Sequence, residues 1–296
     1  MDEHSRILRP SFSEIIDRLS ILNIKRFFIK KDAISFSKEI QKLHNDIDFY
    51  MDKNNILCNS QHFRLIISLA QINLNIWLTK EEMTNHNDNY LKNMKLGHQL
   101  NGIRNQLKNK ILDINGLSER SFEKTNTTRE DLSGWFISAL NENIDPINNI
   151  DDGQNEYQYL LSELFDRMTI CQIKEMLFEN KQRKTITFDL NNISHDIDLI
   201  INSQNINNSG KIINLVIILA LCNLIAWRVK DKMDLGVDDY DTNLNYSTQV
   251  ISLRNFVLNL LMKEFQEDDN INGKATFFEE SSDSNIAFII RDLKQN

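Results

Sequence analysis

The feature that most restricts this chain is that it spells one pattern twice. Residues 13–25 read SEIIDRLSILNIK, and residues 162–174 read SELFDRMTICQIK. Glu14, Asp17, Arg18, Ile21, Ile24 and Lys25 recur 149 positions later as Glu163, Asp166, Arg167, Ile170, Ile173 and Lys174. Asn73, Trp77, Lys80 and Met83 recur 150 positions later as Asn223, Trp227, Lys230 and Met233, and Arg104-Asn105 returns at that same shift as Arg254-Asn255. Three separated blocks that hold one offset to within a residue describe two copies of a unit of about 145 residues, a common domain size. The copies are assigned to 1–145 and 157–296. The linker, 146–156, lies in a stretch rich in Asn and Asp that holds Pro146 and Gly153. Two such units are expected to pack on each other about a pseudo-two-fold axis, as two single-copy chains would in a homodimer.

Composition narrows the class. With 8 Gly and 2 Pro in 296 residues, the chain has too few turn signals for a many-stranded β fold and favours long helices. The predicted fold is all-α: two duplicated helical bundles in tandem. A formal net charge of −8, from 34 basic and 42 acidic residues mixed along the chain, leaves no dense basic stripe for a nucleic acid. Cys58, Cys171 and Cys222 are widely spaced and show no CxxC pattern, which suits reduced thiols in the cytoplasm. The first residues, MDEHSRILRPSF, lack a basic segment followed by an apolar core, so no secretion signal is expected. The run IINLVIILALCNLIAWRV (212–229) is apolar enough to resemble a membrane span. It carries Asn214, Asn223 and Arg228, however, and its more polar counterpart LIISLAQINLNIWL reads as an ordinary bundle helix. A buried helix with no membrane span is the expectation.

Within each copy the periodicity predicts three helices. The first starts near Ser13 or Ser162, each with an acid directly behind it, and continues through RFFIKKDAISFSKEIQKLHNDIDFY in copy one and EMLFENKQRK in copy two. The second carries Trp77 or Trp227, and the third carries the Arg-Asn pair. KTITFDLNN (184–192) alternates β-branched and polar residues and reads as a strand or a loop.

On a helical wheel, Glu14, Asp17, Arg18, Ile21 and Lys25 fall within a sector of roughly 100°, beside an apolar stripe of Ile15, Leu19 and Leu22. A large aliphatic residue in the middle of the charged sector argues that the stripe turns partly into the bundle, where a charge needs a partner. The Trp-bearing helix aligns Asn73, Trp77, Lys80 and Glu81 on one face, and Asn223, Trp227, Lys230 and Asp231 in copy two. Convergence of these faces with Arg104 and Arg254 has two readings. One is a buried salt-bridge network that fixes helix register. The other is a pocket for a phosphorylated or otherwise anionic small molecule. In it Lys25, Lys80, Arg104, Lys174, Lys230 and Arg254 hold the anion, and Trp77 and Trp227 form the wall. Glu14, Asp17, Glu81, Glu163, Asp166 and Asp231 would then hold Mg2+. The six histidines show neither HExxH nor paired i, i+4 spacing, and phosphate-loop and nucleophile-elbow motifs are absent.

At these same residues the chain resembles a family of short bacterial helical proteins with an E-x-x-D-[RK]-[LI]-[ST]-I-L-x-x-K helix, then N-x-x-L-W-x-x-E-D, then an R-N pair. Glu14, Asp17, Arg18, Leu19, Ser20, Ile21, Leu22 and Lys25 match the first element. Asn73, Trp77 and Glu81 match the second, and Arg104-Asn105 the third. Copy two matches with Glu163, Asp166, Arg167, Thr169, Ile170, Lys174, Asn223, Trp227, Asp231, Arg254 and Asn255. Lys80 and Lys230 depart from it, standing where the family has an acid. The resemblance implies a role in surface-polysaccharide metabolism. A more distant one, Glu14-x-x-Asp17 being similar to half of the metal site of the all-α MazG-like pyrophosphohydrolases, implies nucleoside triphosphate hydrolysis; the second half of that site is missing. Three functions are therefore carried forward: a cytoplasmic binder of a phosphorylated ligand, a structural or interaction scaffold, and a nucleotide pyrophosphohydrolase.

Overall fold

A computed structural model describes residues 10–85, 89–117, 158–177, 180–267 and 284–295. The assigned linker, His4 and His86 lie outside them. The described residues are all-α, with no strand. In chain order the helices are α1 (Phe12–Phe28), α2 (Ala33–Asn54), α3 (Ser60–Asn85), α4 (Tyr90–Ile114), α5 (Leu161–Leu177), α6 (Asn180–Gln204), α7 (Gly210–Asp234), α8 (Tyr240–Glu264) and α9 (Asn285–Gln295).

Two expectations about segmentation change. The first helix of copy one does not run on: Ile29 leaves the helical backbone at φ −118°, ψ 111°, and α2 restarts at Ala33 as a separate helix. Its Ile40, Leu43, Ile47 and Met51, spaced three or four apart, then fold back over α1. KTITFDLNN is neither strand nor loop but lies inside α6, where Ile186, Leu190, Ile193 and Ile197 make the equivalent buried stripe. Helical spacing of apolar residues over the whole segment outweighed a short β-like alternation. α1 starts at Phe12, so Ser13 is a first-turn residue; Ser11 is the N-cap and forms a capping box in which the Ser11 N–H donates to Glu14 Oε2 at 2.9 Å.

The ends of α2 and α6 match closely. Asn55 and Asn205 each adopt φ 51°, the left-handed conformation that Asn tolerates, and the following Ile56 and Ile206 N–H groups close back on Met51 O and Ile201 O. The chain then reverses into α3 and α7. Here the halves exchange caps. Asp198 of α6 accepts from Ser60 N and from Ser60 Oγ, both at 2.7 Å, at the start of α3. Asp48 of α2 accepts from Gly210 N at 2.6 Å at the start of α7. A carboxylate at a helix N-terminus satisfies an orphan donor and complements the helix dipole.

Each half packs α1 on α2 or α5 on α6, and α3 on α4 or α7 on α8. The halves meet where α3 crosses α7, with α1 also touching α7 and α3 touching α5. One hydrophobic cluster runs through both halves. Phe63 meets Phe165 edge-on at 4.6 Å across the junction. Buried polar contacts lie alongside. Asn23 Nδ2 donates to Asn214 Oδ1 at 2.7 Å, while Arg64 donates to both oxygens of Glu175 at 2.9 and 3.0 Å and to Gln172 Oε1 at 3.2 Å. α7, long and apolar enough to cross a membrane, has 83% of its apolar window buried against the rest of the chain and serves as the core helix. α9 returns to the first half: its Asp292 accepts from buried Arg26 at 2.6 Å, and Asn285 donates to Phe27 O at 2.8 Å.

The two crossings are not equally tight. A Cβ built on Gly210 would lie 2.6 Å from His44 O and 2.8 Å from His44 Cα, both backbone atoms that cannot swing away. Ser60 occupies the corresponding place in the first half. Gly210→Ser is therefore expected to destabilise the protein by about 1–3 kcal/mol through overpacking, although it copies the residue that the other half uses. Equilibrium urea unfolding of the variant checks this. Wild-type stability would show that α2 slides aside at no cost.

Candidate functional site

Asp17 is the residue around which the charged stripe is organised. It sits mid-way through the first turns of α1, 5% exposed, and its carboxylate is held from two other helices. Arg104 of α4 clamps it in two-pronged fashion, Nε to Oδ1 at 2.9 Å and a terminal guanidinium nitrogen to Oδ2. Asn73 of α3 donates to Asp17 Oδ1 at 2.9 Å and to Ser20 Oγ at 2.6 Å, and Ser20 Oγ donates back to Asp17 O at 2.9 Å. The bidentate fork and the amide leave the carboxylate fully engaged.

The second half repeats the assembly atom for atom. Arg254 clamps Asp166 through Nε at 3.0 Å and a terminal nitrogen. Asn223 donates to Asp166 Oδ1 at 2.9 Å and to Thr169 Oγ1 at 2.6 Å, and Thr169 Oγ1 donates to Asp166 O at 2.8 Å. Sequence reasoning placed Asp, Asn and Arg on three faces that should converge; Ser20 and Thr169, which complete each knot, stood in the motif as the [ST] position and were given no role.

The other predicted residues do not all join. Glu14 is exposed and belongs to the α1 cap, and Glu163 accepts from Leu160 N at 3.3 Å in the same way. Trp77 is half-buried and donates its indole N–H to Glu81 Oε1 one turn on, at 2.8 Å. It also stacks on Phe28 with centroids 5.9 Å apart. Lys80 and Lys230 are exposed, Trp227 and Asp231 half-buried, and none of the four lines the groove described below. Of the six carboxylates assigned to Mg2+, Glu14 and Glu163 belong to caps, Asp17 and Asp166 to clamps and Glu81 to Trp77, while Asp231 is half-buried near the end of α7. Among the described residues no group of three or more His, Cys, Asp or Glu is placed to hold a metal ion.

What does gather is an open groove of about 740 Å3 bounded by α1, α2 and α4, within the size range of small-ligand sites. Its wall carries Arg18, Lys25, Arg104 and Lys108 against Glu14, Asp17 and Glu39, with Ile21, Leu22 and Phe36 as the apolar part. Arg18 pairs with Glu39. Lys25 is half-buried, its ammonium 5.7 Å from the centre of the Phe36 ring, and among the described residues no carboxylate is in ion-pair contact with it. Lys108, 2% exposed, was not anticipated; its periodic position beside Arg104, one turn along α4, is the signal that would have found it. In the second half Lys108 is matched by Leu258 and Phe36 by Ile186, both buried, and Arg167 leans on Tyr159 at 4.3 Å.

Comparison with protein-family models, with curated proteins and with solved structures gives no significant match.

Removing one partner of the clamp strands the other. Asp17→Ala is expected to cost about 2–3 kcal/mol, below the range for fully buried pairs because Arg104 is partly exposed. Asp17→Ala combined with Arg104→Leu should cost less than the sum of the two single changes. A double-mutant cycle by denaturant unfolding measures this, and strict additivity would deny the coupling.

Proposed function

We propose that the protein binds a phosphorylated or otherwise anionic small molecule in the groove of its first half, and that the clamps in both halves are the framework that holds the walls in place. The observation that carries this is Lys25. A half-buried ammonium costs desolvation energy that an aromatic face repays only in part. Here it points into a concavity shared with Arg104 and Lys108. A phosphate oxygen placed there would meet Lys25 as a point charge, beside the guanidinium edge of Arg104. Phe36, Ile21 and Leu22 offer a surface for a sugar or base.

The family resemblance favours phosphorylated sugars and nucleotide sugars of surface-polysaccharide metabolism, in the cytoplasm, as the ligand class. No catalytic step belongs to this reading. Of the carboxylates assigned to Mg2+, Asp17 is engaged by Arg104, Glu14 by Ser11 and Glu81 by Trp77, so no step is routed through a metal.

A scaffold reading is favoured by one observation of its own. Asp166, Asn223 and Arg254 repeat the clamp in a half whose matching groove positions carry Leu258 and Ile186. The clamp is therefore explained by helix packing whether or not a ligand exists. Ligand binding separates the two readings.

Thermal unfolding in the presence of sugar phosphates, nucleotide sugars and nucleoside triphosphates is the test. A ligand at a hundred times its Kd should add about 2.7 kcal/mol of stability. Lys25→Ala, which touches no part of the clamp, should abolish the shift without changing the free protein's midpoint, while Lys174→Ala should leave the shift intact. If none of these anions moves the midpoint, or if Lys25→Ala binds as well as the wild type, the scaffold reading stands. Release of pyrophosphate from a nucleoside triphosphate would replace both with hydrolysis.

A further inference from the structure

Among the described residues, a concentration of cations outside the groove above lies where α9 docks on the first half. The connection between α1 and α2, the first turn of α2 and the start of α9 enclose a second concavity of about 480 Å3. It shares no residue with the Lys25 groove. Among the described residues Lys30, Lys31, Lys38 and Arg291 line it with one carboxylate, Asp32, and Lys30 and Arg291 also interact with other groups. We propose that this concavity is a second anion site, suited to the phosphomonoester or diphosphate group of a small soluble molecule.

Four features support the assignment. Like charges drawn into one concavity repel, and an anion between them relieves that repulsion. Among the described residues Lys31 and Lys38 have no carboxylate in ion-pair contact; Lys31 lines this concavity, and Lys38 stands between it and a neighbouring one that carries Glu14, Glu39 and Asp46. Uncharged donors are also present. Asp32 stands at the N-cap of α2 but makes no side-chain capping bond; Ala33 N–H donates to Lys30 O at 3.3 Å, and Ile34 and Ser35 of that first turn also line the concavity. Ser284 Oγ accepts from Ala287 N at 3.1 Å, which leaves its own hydroxyl hydrogen available to an acceptor. Half-buried Phe288 gives one apolar wall, and the volume fits a phosphorylated metabolite rather than a flat membrane surface.

The site is composite. Lys30, Lys31 and Lys38 come from the first half, whereas Ser284, Phe288 and Arg291 come from the last helix of the chain. It exists only while α9 is docked through Arg26–Asp292 and Asn285–Phe27. An anion held there would therefore tie α9 down further, which gives a readout beyond binding itself. It belongs to the first half alone in one respect: the position matching Lys38 is Phe188.

The test uses the full chain with pyrophosphate as the probe, titrated by calorimetry and followed by amide hydrogen exchange. Pyrophosphate should bind, and exchange should slow in 285–295 and in the first turn of α2. Lys31→Glu with Lys38→Glu, both exposed positions, should weaken binding by about tenfold or more, as loss of charge-assisted hydrogen bonds does, and should remove the protection. If that pair of changes impairs folding, Lys31→Ala alone serves. Lys53→Glu, exposed at the far end of α2, makes the same kind of charge change away from the concavity and should bind as the wild type does. Lys25→Ala should also bind normally, which keeps this site separate from the one under the proposed function. No heat with the wild type, an equal loss in Lys53→Glu, or a loss in Lys25→Ala with none in the Lys31/Lys38 variant would each overturn the assignment.

Discussion

The structure depends first on a carboxylate that has been taken out of water. Asp17 and Asp166 are placed where α1 and α5 are covered by other helices, and an unpaired carboxylate there would be costly. Each is compensated from two directions, by an arginine fork from the fourth helix of its half and an amide from the third. Apolar packing between helices tolerates sliding and rotation; a bidentate pair with an amide on the same oxygen does not. The clamp therefore sets the register of α1 against α3 and α4, and the groove wall that contains Arg104 and Lys25 follows from that register. The pair does not have to contribute net stability for this to hold. Its larger effect is to make the alternatives, in which the carboxylate is left alone, expensive.

Across the junction of the halves the polar contacts follow the same logic but have diverged. Asn23 meets Asn214 on one side, whereas on the other the matching positions are Gln172 and Arg64, joined by Glu175 and Thr187. Arg26 stands where the second half has Glu175, and it turns to Asp292 of α9 instead. A neutral pair and an ionic network thus do equivalent work, and each buried charge has found a partner from a different element. The exchanged caps of Asp48 and Asp198 hold the same junction at its ends, so each half supplies a group that the other half's core helix lacks.

How much of this could be read from the residues depends on what kind of signal carried it. Helix class and the convergence of polar faces were legible because Asp17, Asn73 and Arg104 recur at offsets that agree to within a residue; which of them pair was not, since the same residues suit a salt-bridge network and a ligand and metal site alike. The break at Ile29 was not legible, since no Gly or Pro marks it; the backbone turns because α2 must lay Ile40, Leu43 and Ile47 over α1. KTITFDLNN misled because a five-residue alternation imitates a strand, while the stripe that decides the matter, Ile186 to Ile197, extends beyond it. Trp77, Lys80 and Glu81 share a helical face with Asn73, but α3 is 26 residues long. A face that is buried at Asn73 has reached the surface two turns later. Shared periodicity gives direction around a helix, not depth along it.

The two halves also show how one framework can serve unequal ends. Both retain the clamp, with bond lengths that agree to about 0.1 Å. Around it the first half keeps Lys25 over Phe36 with Lys108 behind, and a ring of lysines at the start of α2. The second half puts Leu258 and Ile186 at the matching groove positions and turns Arg167 onto Tyr159. The half-buried ammonium itself is common to both, since Lys174 repeats Lys25; what the second half lacks is the aromatic face of Phe36 and the charge of Lys108 beside it. A half-buried ammonium is retained against its desolvation cost only where something offsets it, and in this chain the clamp's own carboxylate is already taken.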